Sequence, residues 1–392
     1  MKGSNGFKRT RKILLSALAV ATLLTGSALP AFADDTTTKP AASFNKSYTL
    51  TMPTGETATD YASPAETFTF TSGKTNATAT TAGKASLAAL KGTSWNTSTT
   101  AMQNISDLGT AVTNSANIPQ TVSVSSADFS KVAATVDGVS QTVNISLDGS
   151  YTEPGVYYYD FHETAGTTAG VTYDTNSYRI AVAITNKDGT MTVNSVNIIN
   201  LDSANENKVK TINNNYAAGK LSFKKVVAGN MGDITKQFKV TVILKAPSGK
   251  TVNSTIGVSG TGTVVDGELG KIKPTDWTTG TVTKTYTVQN GTEITLKNIP
   301  DGVSCFVQED KYSDAGYETE YTMPDGSTTK SLTQDDYQQM VGGKNLEITI
   351  TNTRNSNIDT GIFTTNLPYI LILVVAIAGA VAFVVASRKR RV

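Results

Sequence analysis

The sequence predicts an all-β protein of two tandem sandwich domains, set between an export signal and a membrane-spanning tail. Three observations carry that expectation. Short alternating runs rich in Thr, Val, Ser and Tyr follow one another, among them "ETFTFTSG", "QTVNISLDG", "SYRIAVAITNKDG", "KQFKVTVILKAPSG" and "KTYTVQNGTEITLKN". Asn-Gly, Asp-Gly and Ser-Gly pairs punctuate them, the chemistry that hairpin turns require. Helical periodicity is scarce, with "KASLAALKG" one short candidate. Strands of this kind, without helices to cover them, bury their apolar faces sheet on sheet.

The chain has 392 residues, enough for two or three domains. Residues 1–33 read as a secretory signal peptide. Lys2, Lys8, Arg9, Arg11 and Lys12 form a basic start, an apolar stretch follows from Ile13, and Ala31-Phe32-Ala33 offers a small-x-small cleavage site before Asp34. At the other end, 369–386 carries no charge and is just long enough to span a bilayer, and the basic run 388–391 holds its end in the cytoplasm. The net charge of +2 hides an acidic middle. The ends hold nine of the 34 Lys+Arg and none of the 32 Asp+Glu, so 34–360 keeps 25 basic residues against 32 acidic ones. No nucleic-acid partner is expected of such a surface.

One Cys and one His exclude much else. A single cysteine forms no intramolecular disulfide, and Cys305 reads as a small buried apolar residue. Cys/His zinc sites and His-dependent triads fail by counting; no metal site and no cofactor is evident, and an oxygen-ligand calcium site in loops stays open. The glycine-rich "GVSGTGTVVDG" (257–267) does not lead from a strand into a helix as a phosphate loop does, and reads as a hairpin tip.

Two domains are expected, over 40–216 and 219–355, meeting around Ala217–Gly219. A Ser/Thr/Ala-rich stretch, 74–135, reads as a loop-rich insertion in the first. The division rests on a repeat of polar residues at inward positions. In "GKLSFKKVV", Lys225 shares a face with Leu221, Phe223 and Val227; later Glu309 shares one with Cys305 and Val307, and Asn352 with Ile348 and Ile350. The first half repeats the order. Lys46 lies with Phe44, Tyr48 and Leu50, Glu163 with Tyr159 and Phe161, and Asn214 with Ile212, whose parity selects it over Asn213 and Asn215. Taken singly, such residues snorkel, stay exposed or cap turns. Twice in one order, they point to a shared chemistry. A desolvated Lys sheds its proton and a desolvated Glu keeps one, by shifts of roughly 3–5 units. The neutral amine is then a nucleophile toward the Asn amide, and the Glu would hydrogen-bond the amide oxygen and pass a proton to departing ammonia. The fold supplies the effective concentration.

These Lys/Glu/Asn sets, with "PGVYYYDFHE", "GVTYDTNSY", "LSFKKVVAGNMGD" and the tail "DTGIFTTNLPYILILVVAIAGAVAFVVASRKRRV", resemble the FctA-type backbone pilins of Gram-positive bacteria. The resemblance covers most of 40–392 and is weakest over 74–135. It implies two immunoglobulin-like (CnaB-type) sandwiches, with Lys46–Asn214 and Lys225–Asn352 isopeptide cross-links formed with Glu163 and Glu309. It also implies a sorting signal over 357–392. "NIDTG" (357–361) stands where the family carries its sorting motif, so a sortase would attack the Thr360 carbonyl and release Gly361 onward. The usual proline is missing, with Ile358 and Asp359 in its place, which leaves the class of sortase open. The acyl group would pass to a lysine of another copy, giving a covalent head-to-tail fibre. Lys208 and Lys210 in "NKVKTINN" are the candidate acceptors. Lys208 is favoured, since Lys210 shares parity with Ile212 and would tend inward. Minor pilins and peptidoglycan are further expected partners, and the membrane only before sorting. The alternative is a monomeric wall-anchored adhesin or minor pilin, with 74–135 as a binding loop. Enzymatic turnover is not expected.

Overall fold

The computed structural model describes residues 42–74, 121–148, 151, 155–187, 190–203, 208–333, 336–356, 369 and 371–377. The expected signal peptide, the "KASLAALKG" candidate helix, the 357–361 motif and the 388–391 basic run lie outside them. Of the expected membrane span, residues 369 and 371–377 are helical. Among the described residues no helix is long and apolar enough to cross a membrane.

The first half contributes β1 (Ala42–Thr51), β2 (Thr67–Phe68), β3 (Phe70–Lys74), β4 (Thr121–Val124), β5 (Ala127–Asp128), β6 (Val139–Asp148), β7 (Gly155–Glu163), β8 (Val171–Thr172), β9 (Ser177–Lys187) and β10 (Thr190–Asn200). The long β11 (Thr211–Ala228) belongs to both halves. The second half adds β12 (Phe238–Lys245), β13 (Ile256–Thr261), β14 (Val264–Asp266), β15 (Gly270–Ile272), β16 (Thr281–Val288), β17 (Glu293–Pro300), β18 (Ser304–Glu309), β19 (Glu318–Thr322), β20 (Thr328–Thr329), β21 (Gln338–Gln339) and β22 (Asn345–Thr353).

Each half is a sandwich. In the first, the sheet β11–β1–β6–β4 packs against β10–β9–β7–β3; in the second, β22–β11–β17–β13–β15 packs against β14–β16–β12–β18–β21. The alternation of "ASFNKSYTLT" follows directly, with Ala42, Phe44, Lys46, Tyr48 and Leu50 inward. Phe44 of β1 stacks on Phe161 of β7 at 5.7 Å across the first core. Aromatic rings dominate that core, and aliphatic side chains such as Val240, Val242, Leu244, Ile294 and Leu296 dominate the second. Each such side chain contributes roughly 1.5–3 kcal/mol by burial.

One sequence expectation is overturned, and two gain detail. The 74–135 insertion is not loop throughout. From Thr121 the chain pairs β4 with β6 and β5 with β2, and Phe129 enters the core. Its Ser/Thr content hides these short strands because few apolar residues mark the alternation. The glycine-rich 257–267 is not a hairpin tip either: β13 and β14 lie in different sheets, and Gly262 (φ +78°) turns the chain between them. The expected boundary at Ala217–Gly219 lies within a strand, with no turn or linker. These residues lie inside β11, whose start pairs in parallel with β1 and whose end pairs in parallel with β22. Gly219 is there for space, since a Cβ would meet Met340 Sδ at 2.1 Å and the Lys344 carbonyl at 2.3 Å.

Polar contacts tie the halves beside that strand. Asn298, in the left-handed region at φ +68°, accepts from Tyr216 Oη (3.2 Å) and donates to the carbonyls of Ala62 (2.8 Å) and Thr255 (2.9 Å). Lys297 pairs with Glu56 (2.7 Å) and Asp60 (2.8 Å). Ala169, from the first half, packs into the second core.

Candidate functional site

Lys46 has no solvent exposure, nor has the Glu163 side chain beside it. β1 and β11 run parallel and adjacent, with Lys46 opposite Ile212 and Tyr48 opposite Asn214. The amide of Asn214 is thereby two positions beyond the amine's own register partner, on the same face. Glu163 reaches them from β7 in the facing sheet. Lys46 Nζ donates to Glu163 Oε2 (2.5 Å) and to Asn214 Oδ1 (2.7 Å), and Asn214 Nδ2 donates to Glu163 Oε1 (2.5 Å). The three groups form a closed ring. The face of Phe68 lies 5.1 Å from the amine. Burial lowers the Lys46 pKa against the opposing pull of Glu163, and burial raises that of Glu163 against the pull of Lys46. Both shifts favour the uncharged pair over the ion pair.

The second sandwich repeats the register. Lys225 stands opposite Ile350 and Val227 opposite Asn352, again on parallel neighbours, and Glu309 comes from β18 in the facing sheet. Lys225 Nζ lies 3.1 Å from Glu309 Oε1, in ion-pair contact without a hydrogen bond to that oxygen. It donates instead to the carbonyls of Val226 and Ile350, both at 3.3 Å. Phe238 covers the amine at 4.3 Å, as Phe68 does in the first half. Burial lowers Lys225 to about 8, opposed by Glu309, and burial raises Glu309, opposed by Lys225. Asn352 is wholly buried, and neither its Oδ1 nor its Nδ2 has a hydrogen-bond partner. An idle buried amide is costly, roughly 1–3 kcal/mol per unsatisfied group.

The neighbouring asparagines differ. Asn213 is exposed, and Asn215 turns to the Thr49 and Thr51 hydroxyls at 2.9 and 3.1 Å. The expected hydrogen bond from Glu163 to the Asn214 oxygen is not what forms: the carboxylate engages the amide nitrogen. The oxygen instead receives the backbone N–H of Asp174 at 3.0 Å. Sequence reasoning missed Asp174, and also Thr319, whose hydroxyl donates to Glu309 Oε2 at 3.2 Å.

Lys208 is half-buried, bridges Ile199 on β10, and has an amine lowered to about 8 by burial. Lys210 is exposed, contrary to its expected inward tendency, because β11 begins only at Thr211 and the parity does not reach it. Its carbonyl accepts the Asn45 N–H at 2.8 Å. Cys305 is buried, with its thiol pushed up to about 12 by desolvation. Thr360 and Gly361 lie outside the described residues.

Comparison with known proteins bears on both halves. Residues 44–217 match the FctA family, described as a Spy0128-like isopeptide containing domain, and 219–354 match a domain of unknown function (DUF7601). A protein named "Pilin" from Streptococcus pyogenes serotype M1 is 29% identical over 255 residues, 63% of this chain and 73% of that protein. Among solved structures, the major pilin from Streptococcus pyogenes is 21% identical, covering 81% of this chain and 99% of that one at a TM-score of 0.47. The T3.2 major pilin of the same species is 19% identical, covering 80% and 99% at 0.44.

Proposed function

We infer that this chain, whose residues 44–217 match the Spy0128-like isopeptide containing domain, is a pilus subunit of a Gram-positive cell surface. Its two sandwiches are each closed by an autocatalytic Lys–Asn amide, Lys46–Asn214 and Lys225–Asn352. It is the repeating, major subunit of a covalent fibre joined by a sortase, and a structural protein, not an enzyme with turnover. The observation that carries this reading is the doubled register: in both sandwiches the Asn sits two positions beyond the Lys partner on a parallel strand, with a Glu from the opposite sheet.

The chemistry follows from the contacts. With the pair uncharged, the Lys46 amine attacks Cγ of Asn214 and the carbonyl electrons move to Oδ1. Glu163 gives its proton to Nδ2, which leaves as ammonia, and the resulting carboxylate takes a proton from the former lysine nitrogen. The Glu ends as it began, one amide has formed for one amide lost, and the buried ionisable amine has become part of a neutral link. Glu163 touches the amine with Oε2 and the leaving nitrogen with Oε1, as a relay requires.

At the tail, a sortase cuts between Thr360 and Gly361 and transfers the acyl group to Lys208 of the next copy. The lowered Lys208 amine is a better nucleophile near neutral pH than an ordinary lysine. The test is a denaturing gel of surface extracts. A shaft subunit gives a high-mass ladder that Lys208→Ala removes. A single wall-linked band would mean a monomeric adhesin or minor pilin instead.

A further inference from the structure

The ring around Asn214 leaves one requirement of the proposed reaction unmet by its three side chains. When the amine attacks, negative charge develops on Asn214 Oδ1. Glu163 is occupied with the two nitrogens, and Lys46, which donates to that oxygen beforehand, must give up its charge and become the nucleophile. We propose that the backbone N–H of Asp174 is the oxyanion donor of the first sandwich, and that the second sandwich, lacking a counterpart, closes its cross-link later. This rests on the isopeptide reading above and adds a catalytic group to it.

The placement is built, not incidental. The N–H donates to Oδ1 at 3.0 Å. β8 pairs with Asn215 and Tyr216 of β11, which brings the 173–176 connection alongside Asn214. Asp174 is then fixed by its own side chain. Oδ2 accepts from Tyr178 Oη at 2.5 Å, and Oδ1 accepts from the backbone N and Nδ2 of Asn176 at 2.7 and 2.8 Å. Three donors therefore occupy the carboxylate, and the amide is held before charge develops, the condition under which such donors act. In the second sandwich, β22 is flanked at the corresponding place by β19, with Thr319 opposite Asn352, and Asn352 Oδ1 receives no donor.

The atoms balance as before. The new bond is Lys46 Nζ to Asn214 Cγ, the broken bond is Cγ to Nδ2, and the product is ammonia. The Asp174 N–H exchanges no proton and only stabilises the oxyanion between the two steps.

A backbone donor is removed by proline, and here the comparison is clean. Asp174→Pro deletes the N–H and the carboxylate together, while Asp174→Ala deletes the carboxylate alone. The full chain is refolded from an unfolded, uncross-linked state, and digests are sampled by mass spectrometry to score the two linkages separately. In the parent the Lys46–Asn214 link should appear before Lys225–Asn352. Asp174→Pro should slow the first link by about 10²-fold, the effect of losing one such donor, and leave the second on its parental clock. Asp174→Ala should slow the first far less. Parental speed in Asp174→Pro, or equal slowing in Pro and Ala, overturns the proposal. If hydrogen exchange finds β1 and β7 unprotected in the Pro variant, Asp174→Ala decides instead: with its side-chain anchors gone the N–H is no longer held, so the first link must slow, by less than about 10²-fold, while protection stays parental. An unchanged rate there overturns the proposal equally. A parent that never loses ammonia sinks the isopeptide reading and this inference together. A parent that loses it regardless of Asp174 sinks the inference alone.

Discussion

Asn214→Ala and Glu163→Ala should both destabilise the first sandwich, and by different amounts. Lys46 and Asn214 stand 168 residues apart. Chain statistics for a loop of that length give a cross-link about 5 kcal/mol of stabilisation through the unfolded state, and both variants forfeit it. They part company at the lysine. Asn214→Ala keeps the Lys46–Glu163 contact at 2.5 Å, so the amine retains its partner. Glu163→Ala strands a wholly buried Lys46 with no counter-charge, a further loss of about 3–5 kcal/mol. Hydrogen exchange across β1 and β6 under mild denaturant separates this sandwich from its neighbour. The expected order is parent, then Asn214→Ala, then Glu163→Ala, with the first gap worth between three and four decades in the opening constant. Equal protection in the parent and Asn214→Ala would mean that no cross-link exists. Equal protection in the two variants would mean that Lys46 finds another partner, and the argument from its burial would collapse.

Other outcomes follow from the same geometry. In Asn352→Ala the second sandwich keeps Lys225 as a free amine lowered to about 8 from 10.5, so between those values the unfolded chain binds more protons. Its stability should rise as pH rises through that window, while the parent, with Lys225 acylated, should show no such rise in a denaturant titration. Asn298→Ala strands Tyr216 Oη and the Ala62 and Thr255 carbonyls, at roughly 1–3 kcal/mol for each group that water cannot reach. Faster exchange should appear around 60–62 and 298, with both cores still protected; unchanged exchange would show that the Asn298 contacts do not hold the halves together. Lys210→Ala, at an exposed position, should leave a pilus ladder intact where Lys208→Ala abolishes it, and the reverse pattern would reassign the acceptor.

Much of this was written in the sequence because half-buried strands alternate with period two. That rule places Lys46, Glu163, Asn214, Lys225, Glu309 and Asn352 inward without any structure, and the folded chain buries all six. The same rule fails where a strand stops. Lys210 keeps the parity of Asn214 but precedes β11, so nothing turns it inward. The reason for Gly219 is also hidden in the sequence, since only the folded chain shows that it makes room for Met340 and Lys344. The Asp174 donor was illegible for a deeper reason: every residue but proline has a backbone N–H, so residue types carry no mark of it.

A lysine amine that becomes an amide with Asn releases ammonia, and mass reads that directly. The chain should weigh two ammonias less than its sequence requires, with Glu163→Ala and Glu309→Ala each restoring one. A parent mass equal to the sequence mass would mean that neither link forms, and Lys46 and Lys225 would then be free buried amines, held by Glu163 and Asn214 in the first sandwich and by Glu309 and the Val226 and Ile350 carbonyls in the second.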